Sequence, residues 1–319
     1  MEFNIDNILQ AQKRIENYIV KTPLIRAANL DKFLGFEVYL KLENMQKTGS
    51  FKYRGAMNKI LYLPEEKLKK GVVCASSGNH GKAIAYAAKE LGIPAIVVIP
   101  DTAPKIKVDN ILNLGAEVLQ CDPKDRFKIA HEISEEKGMT EIPPFDDYEV
   151  MAGQGTAGLE ILSCGVDFDY VIVPVSGGGL IGGISTAIKE KNSSVKVIGA
   201  EPKNAAAYTV SLKANKISTA KFEKTVADAL VSVTPGEKNY KQVVKYVDSF
   251  MDVSEEYILK GMKLLLLEGK ILSEISSAIG IGGILENKIK IEKNKKVCFV
   301  ISGGSIALNQ LDLLKDLNY

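Results

Sequence analysis

The chain has 319 residues, enough for one large or two moderate domains with a sizeable buried core. Hydrophobic residues make up 46% and charged residues 25%, the balance of an ordinary soluble globular protein. Lys+Arg of 41 against Asp+Glu of 39 gives a net charge of +2, which argues against nucleic acid or a membrane surface as partner.

In chain order, Ile8, Leu9, Ile15 and Ile19 space an amphipathic helix over 6–19. Val38, Leu40 and Leu42 alternate with polar neighbours and predict a strand. Lys52 follows a small polar turn and opens a helix. From Gly71 the pattern is regular: strands at 72–75, 96–99 and 117–120 alternate with helices at 80–91, 105–114 and 124–137. Such βα units imply a parallel sheet. Pro143-Pro144-Phe145 breaks the series. A second series follows, with helices at 149–162, 180–190, 255–268, 278–289 and 306–314 and strands at 170–175, 195–200 and 297–301. No long linker, repeat or low-complexity tract interrupts it. Two α/β domains with a cleft between them are expected, and ligands in such folds bind beyond the carboxyl ends of the strands.

The four cysteines (Cys74, Cys121, Cys164, Cys298) form no CxxC pair, and two histidines, His80 and His131, are too few for a His-rich metal site. No apolar run reaches transmembrane length, and the Met1-Glu2-Phe3-Asn4 start lacks the layout of a secretory leader, so a cytoplasmic location is expected.

Three segments carry chemistry. In Thr48-Gly49-Ser50-Phe51-Lys52-Tyr53-Arg54-Gly55-Ala56, a lysine sits at the positive end of a helix, which favours the neutral amine that a Schiff base requires. Taken alone, those residues fit a solvated surface lysine better. In Val173-Pro174-Val175-Ser176-Gly177-Gly178-Gly179-Leu180, three glycines precede a helix, so backbone N–H groups can converge on a phosphate. This run is neither GxxxxGK[ST] nor GxGxxG, and it also suits a tight turn with close packing. Ser76-Ser77-Gly78-Asn79-His80 opens another helix, either as an ordinary N-cap or as a seat for a carboxylate. A Schiff-base lysine, a phosphate cup and a carboxylate loop together are what a pyridoxal phosphate enzyme acting on amino acids requires.

With these motifs the chain resembles the fold type II (tryptophan synthase beta-like) pyridoxal phosphate enzymes, in the threonine/serine dehydratase and serine racemase branch. The resemblance runs from Lys21-Thr22-Pro23-Leu24 to Ser302-Gly303-Gly304 and takes in Gln154-Gly155-Thr156. Lys52-Tyr53-Arg54 and His80 set it apart from the cysteine synthase-like branch. The resemblance implies a discontinuous large domain, 1–50 and 147–319, and a small mobile domain, 51–146. It implies that Lys52 bonds the cofactor and moves the substrate Cα proton, and that Phe51 packs near the cofactor ring. Asn79 would meet the ring oxygen, and Ser176, Gly177, Gly178, Gly179 and Leu180 the phosphate. Ser302 would face the ring nitrogen, while Ser76, Ser77, Gly78, Asn79 and His80 hold the substrate carboxylate. The implied partners are an amino-acid substrate and further copies of the chain, as a dimer or tetramer.

The implied reaction converts a β-hydroxy L-amino acid to a 2-oxo acid and ammonia. An amino-acid racemase, with Lys52 and Ser77 acting on opposite faces, is the alternative; a catalytically silent small-molecule binder is the third. Relatives often hold Mg²⁺ or Ca²⁺ through a Glu, a carbonyl and a second carboxylate. Glu201 and the Ala205 carbonyl match the first two, but Ala207 replaces the carboxylate, which weakens any such site. Two glycines of the pattern are also lost: Ala227-Asp228-Ala229 replaces Ala-Asp-Gly, and Glu274-Ile275-Ser276-Ser277-Ala278 ends in Ser-Ala rather than Gly-Ala. Both are expected to reshape the pocket beside the ring. The chain stops soon after Ser302, so the isoleucine-sensing C-terminal domain of biosynthetic threonine dehydratases is not expected.

Overall fold

The computed structural model describes residues 2–76, 78–103 and 105–319. Ten strands form two sheets. The larger holds β1 (Leu24–Arg26), β2 (Glu37–Leu42), β7 (Tyr170–Pro174), β8 (Lys196–Pro202), β9 (Ser249–Val253) and β10 (Lys296–Ile301), in the order β1-β2-β10-β7-β8-β9. The smaller holds β3 (Val72–Ala75), β4 (Ala95–Pro100), β5 (Glu117–Cys121) and β6 (Thr140–Glu141), in the order β5-β4-β3-β6. Every pairing is parallel except β1 with β2. Helical crossovers cover both faces of a parallel sheet, and β3 and β7 accordingly read as continuous buried apolar runs.

Most expected elements are present within a residue or two. β1, β6 and β9, short strands at sheet edges, are not expected from the pattern. The helix expected over 278–289 is a 3₁₀ turn, Ile275–Ala278, followed by the Ile279–Leu285 helix. Asn287, at φ 58°, lies just past its end in the left-handed region. The closing segment Leu308–Leu314 is 3₁₀ rather than α, in keeping with leucines spaced three apart at 308, 311 and 314.

Three carboxyl ends matter for the site. β3 ends immediately before Ser76, β7 runs into the glycine loop, and β10 into Ser302-Gly303-Gly304. The lysine turn is tied to the last of these. Ser50 bridges Gly303, Phe51 N–H donates to Ser302 O at 3.0 Å, and Gly304 N–H donates to Gly49 O at 2.8 Å.

Candidate active site

Lys52 is the first residue of the Lys52–Tyr62 helix, where the macrodipole disfavours its charge. That helix is seated on the Tyr148–Leu162 helix. A Cβ at Gly55 would strike Gln154 and Val150 O, and one at Gly153 would strike Arg54 O, so small residues on both sides permit the approach. Gly55 N–H donates to Gln154 Oε1 at 3.1 Å. Beneath lies a buried ion network. Arg54 grips Glu43 through Nε (2.7 Å) and Nη2 (2.8 Å), grips Glu160 through Nη1 (2.7 Å) and Nη2 (2.9 Å), and reaches Thr156 at 3.1 Å. Lys41 donates to Glu160 and to Thr22 O. Two cations and two anions balance, and removing one would leave an uncompensated buried charge at a cost of about 3–5 kcal/mol. The Lys-x-Arg-Gly and Gly-Gln-Gly-Thr segments therefore fix the position from which Lys52 projects.

The Lys52 amine donates to Pro144 O at 2.6 Å and lies 5.2 Å from the centre of the Phe51 ring. Burial lowers its pKa to about 8, against the opposing pull of the Glu274 carboxylate. A sizeable neutral fraction at physiological pH is what a nucleophilic amine needs.

The glycine loop is locked from behind. Gly177 O accepts from Tyr208 Oη (3.1 Å), Asn239 Nδ2 (2.9 Å) and Gly236 N–H (3.2 Å). Gly178, at φ +95°, is left-handed, and a Cβ there would run into the Tyr208 hydroxyl; one at Gly177 would run into the Phe145 ring. Ser176 Oγ accepts from Ser232 N–H at 3.1 Å. The 13-residue helix Gly179–Lys191 starts here, so the N–H groups of its first turn have no partner within the helix. The back of the loop is closely packed, and the helix start behind it leaves N–H groups of the kind that suit an anion.

The other loop is held across the cleft. Asn79 begins the Asn79–Leu91 helix; its Nδ2 donates to Glu274 at 2.9 Å, and its Oδ1 accepts from Ser305 Oγ at 2.6 Å. Ser305 N–H also reaches Glu274, at 3.3 Å. Burial pushes the Glu274 carboxyl up to about 7; Asp228 adds to the rise, while the N–H groups of Asn79 and Ser305 oppose it. Ser76 Oγ accepts from Gly78 N–H at 3.3 Å. Ser77 lies outside the described residues. His80 turns inward, its Nε2 meeting Ile142 O at 2.9 Å. Burial, with the Lys52 charge adding, lowers its pKa to about 3, and its Nδ1 has no partner among the described residues. A neutral, inward-facing ring does not attract an anion, so only the backbone N–H of His80 suits a carboxylate.

Ser302 is 3% exposed at the end of β10, and its Oγ lies 3.0 Å from Ser277 Oγ. Ser277 is equally buried and also bonds the Gly303 backbone, so its hydroxyl is not displayed in the pocket in the way the lost glycine suggested. Ala229, by contrast, is exposed, its N–H donating to Ser276 Oγ at 3.1 Å. Glu201 accepts from Tyr208 N–H (3.0 Å) and Thr209 N–H (2.6 Å), capping the Ala207–Lys213 helix. Ala205 is buried beside it in the Lys203–Ala205 turn, and Ala207 supplies no ligand atom from its side chain. Among the described residues no group of three His, Cys, Asp or Glu side chains is placed to hold a metal.

Glu274, Pro144 and Phe145 are the site residues that motif reading missed. Glu274 stood in a segment singled out for its altered glycine, but its partner Asn79 is 195 positions away.

A lysine amine with lowered pKa, a helix-start cup and a buried hydroxyl suit an aldehyde, a phosphate and a ring nitrogen. The model of the family described as pyridoxal-phosphate dependent enzyme matches residues 15–303. The chain belongs to the pyridoxal-phosphate dependent enzymes. Within that family it is 43% identical over 310 residues to an L-threonine ammonia-lyase of Thermotoga maritima, covering 97% of this chain and 77% of the relative. It is 41% identical over 313 residues to a catabolic L-threonine dehydratase of Staphylococcus aureus, covering 97% and 90%. Maize serine racemase superposes with a TM-score of 0.93 at 37% identity, covering 98% of this chain and 97% of that one. The fold is thus that of the fold type II enzymes, and pyridoxal phosphate is the cofactor.

Proposed function

We propose that this enzyme is an ammonia-lyase for β-hydroxy L-amino acids, L-threonine and L-serine foremost. The carrying observation is Lys52, a helix-start amine with its pKa lowered to about 8. It stands next to Phe51, which is bonded to Ser302 O, and donates to Pro144 O beside the Phe145 ring near Gly177. It is also under the pull of the Glu274 carboxylate that holds Asn79. The similarity to a threonine ammonia-lyase and a threonine dehydratase supports the choice of substrate. Bound pyridoxal phosphate would supply an aldehyde to join the substrate amine and an electron-accepting ring to ease loss of the Cα proton.

The chain's residues take the remaining roles. Lys52 bonds the cofactor at rest and, once displaced by substrate, takes the Cα proton at Nζ. Ser176, Gly177, Gly178, Gly179 and Leu180 hold the phosphate through N–H groups. Asn79 spends one N–H on Glu274, and its second N–H, with no partner among the described residues, suits the ring oxygen. Phe51 lines the cofactor's surroundings, and the neutral Ser302 hydroxyl meets the ring nitrogen. Ser76, Ser77, Gly78 and the backbone of Asn79 and His80 receive the substrate carboxylate. The β-hydroxyl leaves as water, water is taken up again when the released imine hydrolyses, and the net products are a 2-oxo acid and ammonia.

We further propose that 51–146 forms a small unit that closes on 1–50 and 147–319. Two separate sheets and the Asn79–Glu274 bond spanning the cleft support this division. The proposal includes a cytoplasmic homo-oligomer, dimer or tetramer, which sedimentation would measure.

Racemisation is the second reading, favoured by the likeness to maize serine racemase and by a serine at position 77. The test is incubation of the purified enzyme with L-threonine and L-serine, following 2-oxo acid and, by chiral chromatography, the D-isomer. 2-Oxo acid as the main product supports the lyase. D-serine without 2-oxo acid overturns it in favour of the racemase. If Ser77→Ala abolishes D-isomer formation and spares elimination, the two-base account of any racemisation holds.

A further inference from the structure

Ser277 has a hydroxyl whose partners allow two directions for its one proton, toward Gly303 O or toward Ser302 Oγ. Its Oγ accepts from Gly303 N–H at 2.8 Å. It has one proton to give and two acceptors in reach, Gly303 O at 2.9 Å and Ser302 Oγ at 3.0 Å. Gly303 O already accepts from Glu274 N–H at 3.1 Å. A hydroxyl has one proton and two lone pairs, so two facing hydroxyls must agree on which one donates. Were Ser302 to donate to Ser277, its own proton would point back into the protein and only lone pairs would face the cleft. An unprotonated ring nitrogen is itself an acceptor and would then have no donor.

We propose that Ser277 is a positioning residue: it donates to Ser302 Oγ and thereby presents the Ser302 proton outward, as a directed and polarised donor to the ring nitrogen of the cofactor. This rests on the reading that Ser302 meets that nitrogen. Both serines are 3% exposed, and in so dry a setting each hydrogen bond in a chain strengthens the next. The donor direction keeps the ring nitrogen unprotonated, which weakens the ring as an electron acceptor and favours prompt departure of the β-hydroxyl.

The test is a double-mutant cycle on Ser277→Ala and Ser302→Ala, with two readouts other than turnover. One is the ¹⁵N shift of ring-labelled pyridoxal phosphate in the holoenzyme; the other is cofactor affinity, by spectral titration of the cofactor-free protein. Ser277→Ala is expected to move the ¹⁵N shift toward that of a pyridine without a hydrogen bond and to weaken cofactor binding by roughly two- to tenfold, the reach of one hydrogen bond. In the Ser302→Ala background the same substitution should change neither. Ser277→Thr, which keeps the hydroxyl, should restore both, and Ser277→Gly provides the hydroxyl loss should the alanine variant fold poorly. If Ser302→Ala moves the nitrogen shift and Ser277→Ala and Ser277→Gly do not, the inference is overturned and the placement of Ser302 stands. If Ser302→Ala also leaves the shift unmoved, both fall together.

Discussion

The two helix starts facing Lys52 are built in opposite ways. At the glycine loop the backbone is held by Tyr208, Asn239 and Gly236 on the Gly177 carbonyl, with the Phe145 ring packed against Gly177. At the Asn79 turn the hold is a side-chain amide clasped by Glu274 and Ser305 from the other sheet's side of the cleft. Glu274 titrates near neutrality, at about 7. One start is an anchor held through its backbone, and the other a clasp made of side chains. A cofactor's phosphate needs the first, whereas a substrate that enters and leaves needs the second.

The largest effect should come from breaking the anchor. Gly178→Ala forces a side chain into the left-handed region, at roughly 1–2 kcal/mol, and drives a methyl group at the Tyr208 hydroxyl. Cofactor affinity should fall by at least about tenfold in a spectral titration, with a lower melting temperature. Breaking the clasp should instead spare the anchor. Asn79→Ala is expected to reduce kcat by about 10- to 100-fold through misplacement of the reacting groups, with a smaller loss of cofactor affinity. Equal losses of cofactor affinity in the two variants would erase the distinction between anchor and clasp.

The clasp should also carry a pH signature. The Glu274 pKa is raised on folding from 4.5 to about 7, so the folded state holds this proton more tightly than the unfolded state. The stability it contributes is fully present below about pH 4.5 and is lost as pH rises through about 7, by about 2–3 kcal/mol at most. His80, held neutral in the fold, adds an opposing rise in stability up to about pH 6.5 in any variant that keeps it. The decline should therefore be read as the difference in denaturant unfolding free energy, cofactor-free protein minus Glu274→Gln, which should fall from pH 5 to 8. The third helix start gives the smallest expected effect. At Ala207–Lys213 the free N–H groups are already taken by the Glu201 carboxylate. Adding or chelating Mg²⁺ or Ca²⁺ should therefore change turnover by less than about twofold, since Glu201 would have to abandon its cap to bind either ion.

The anchor was far more legible in the sequence than the clasp. Ser176 to Leu180 is one contiguous run after a strand, and Lys52 stands at the head of a helix, so each could be singled out locally, and their combination turned the reading toward a site. The clasp joins Asn79 to Glu274 across 195 positions, and no spacing rule links them. The Lys41, Glu43, Arg54 and Glu160 network was hidden for the same reason, because each charge taken alone resembles a surface residue. The βα alternation was readable because parallel strands are apolar on both faces, while β1, β6 and β9 are short edge elements without that signal. Family resemblance supplied the role of Ser302, but the hydroxyl behind it became visible only when Ser277 was found facing inward.

The central claim is that Lys52 is the amine that holds the cofactor between these two helix starts. Borohydride reduction of the holoenzyme followed by peptide mass spectrometry tests it most directly. The account predicts that the reduced cofactor is found on the peptide carrying Lys52 and that Lys52→Ala, folded as judged by its melting transition, retains none covalently. Recovery of the label on any other lysine, or its undiminished retention in Lys52→Ala, would contradict the account.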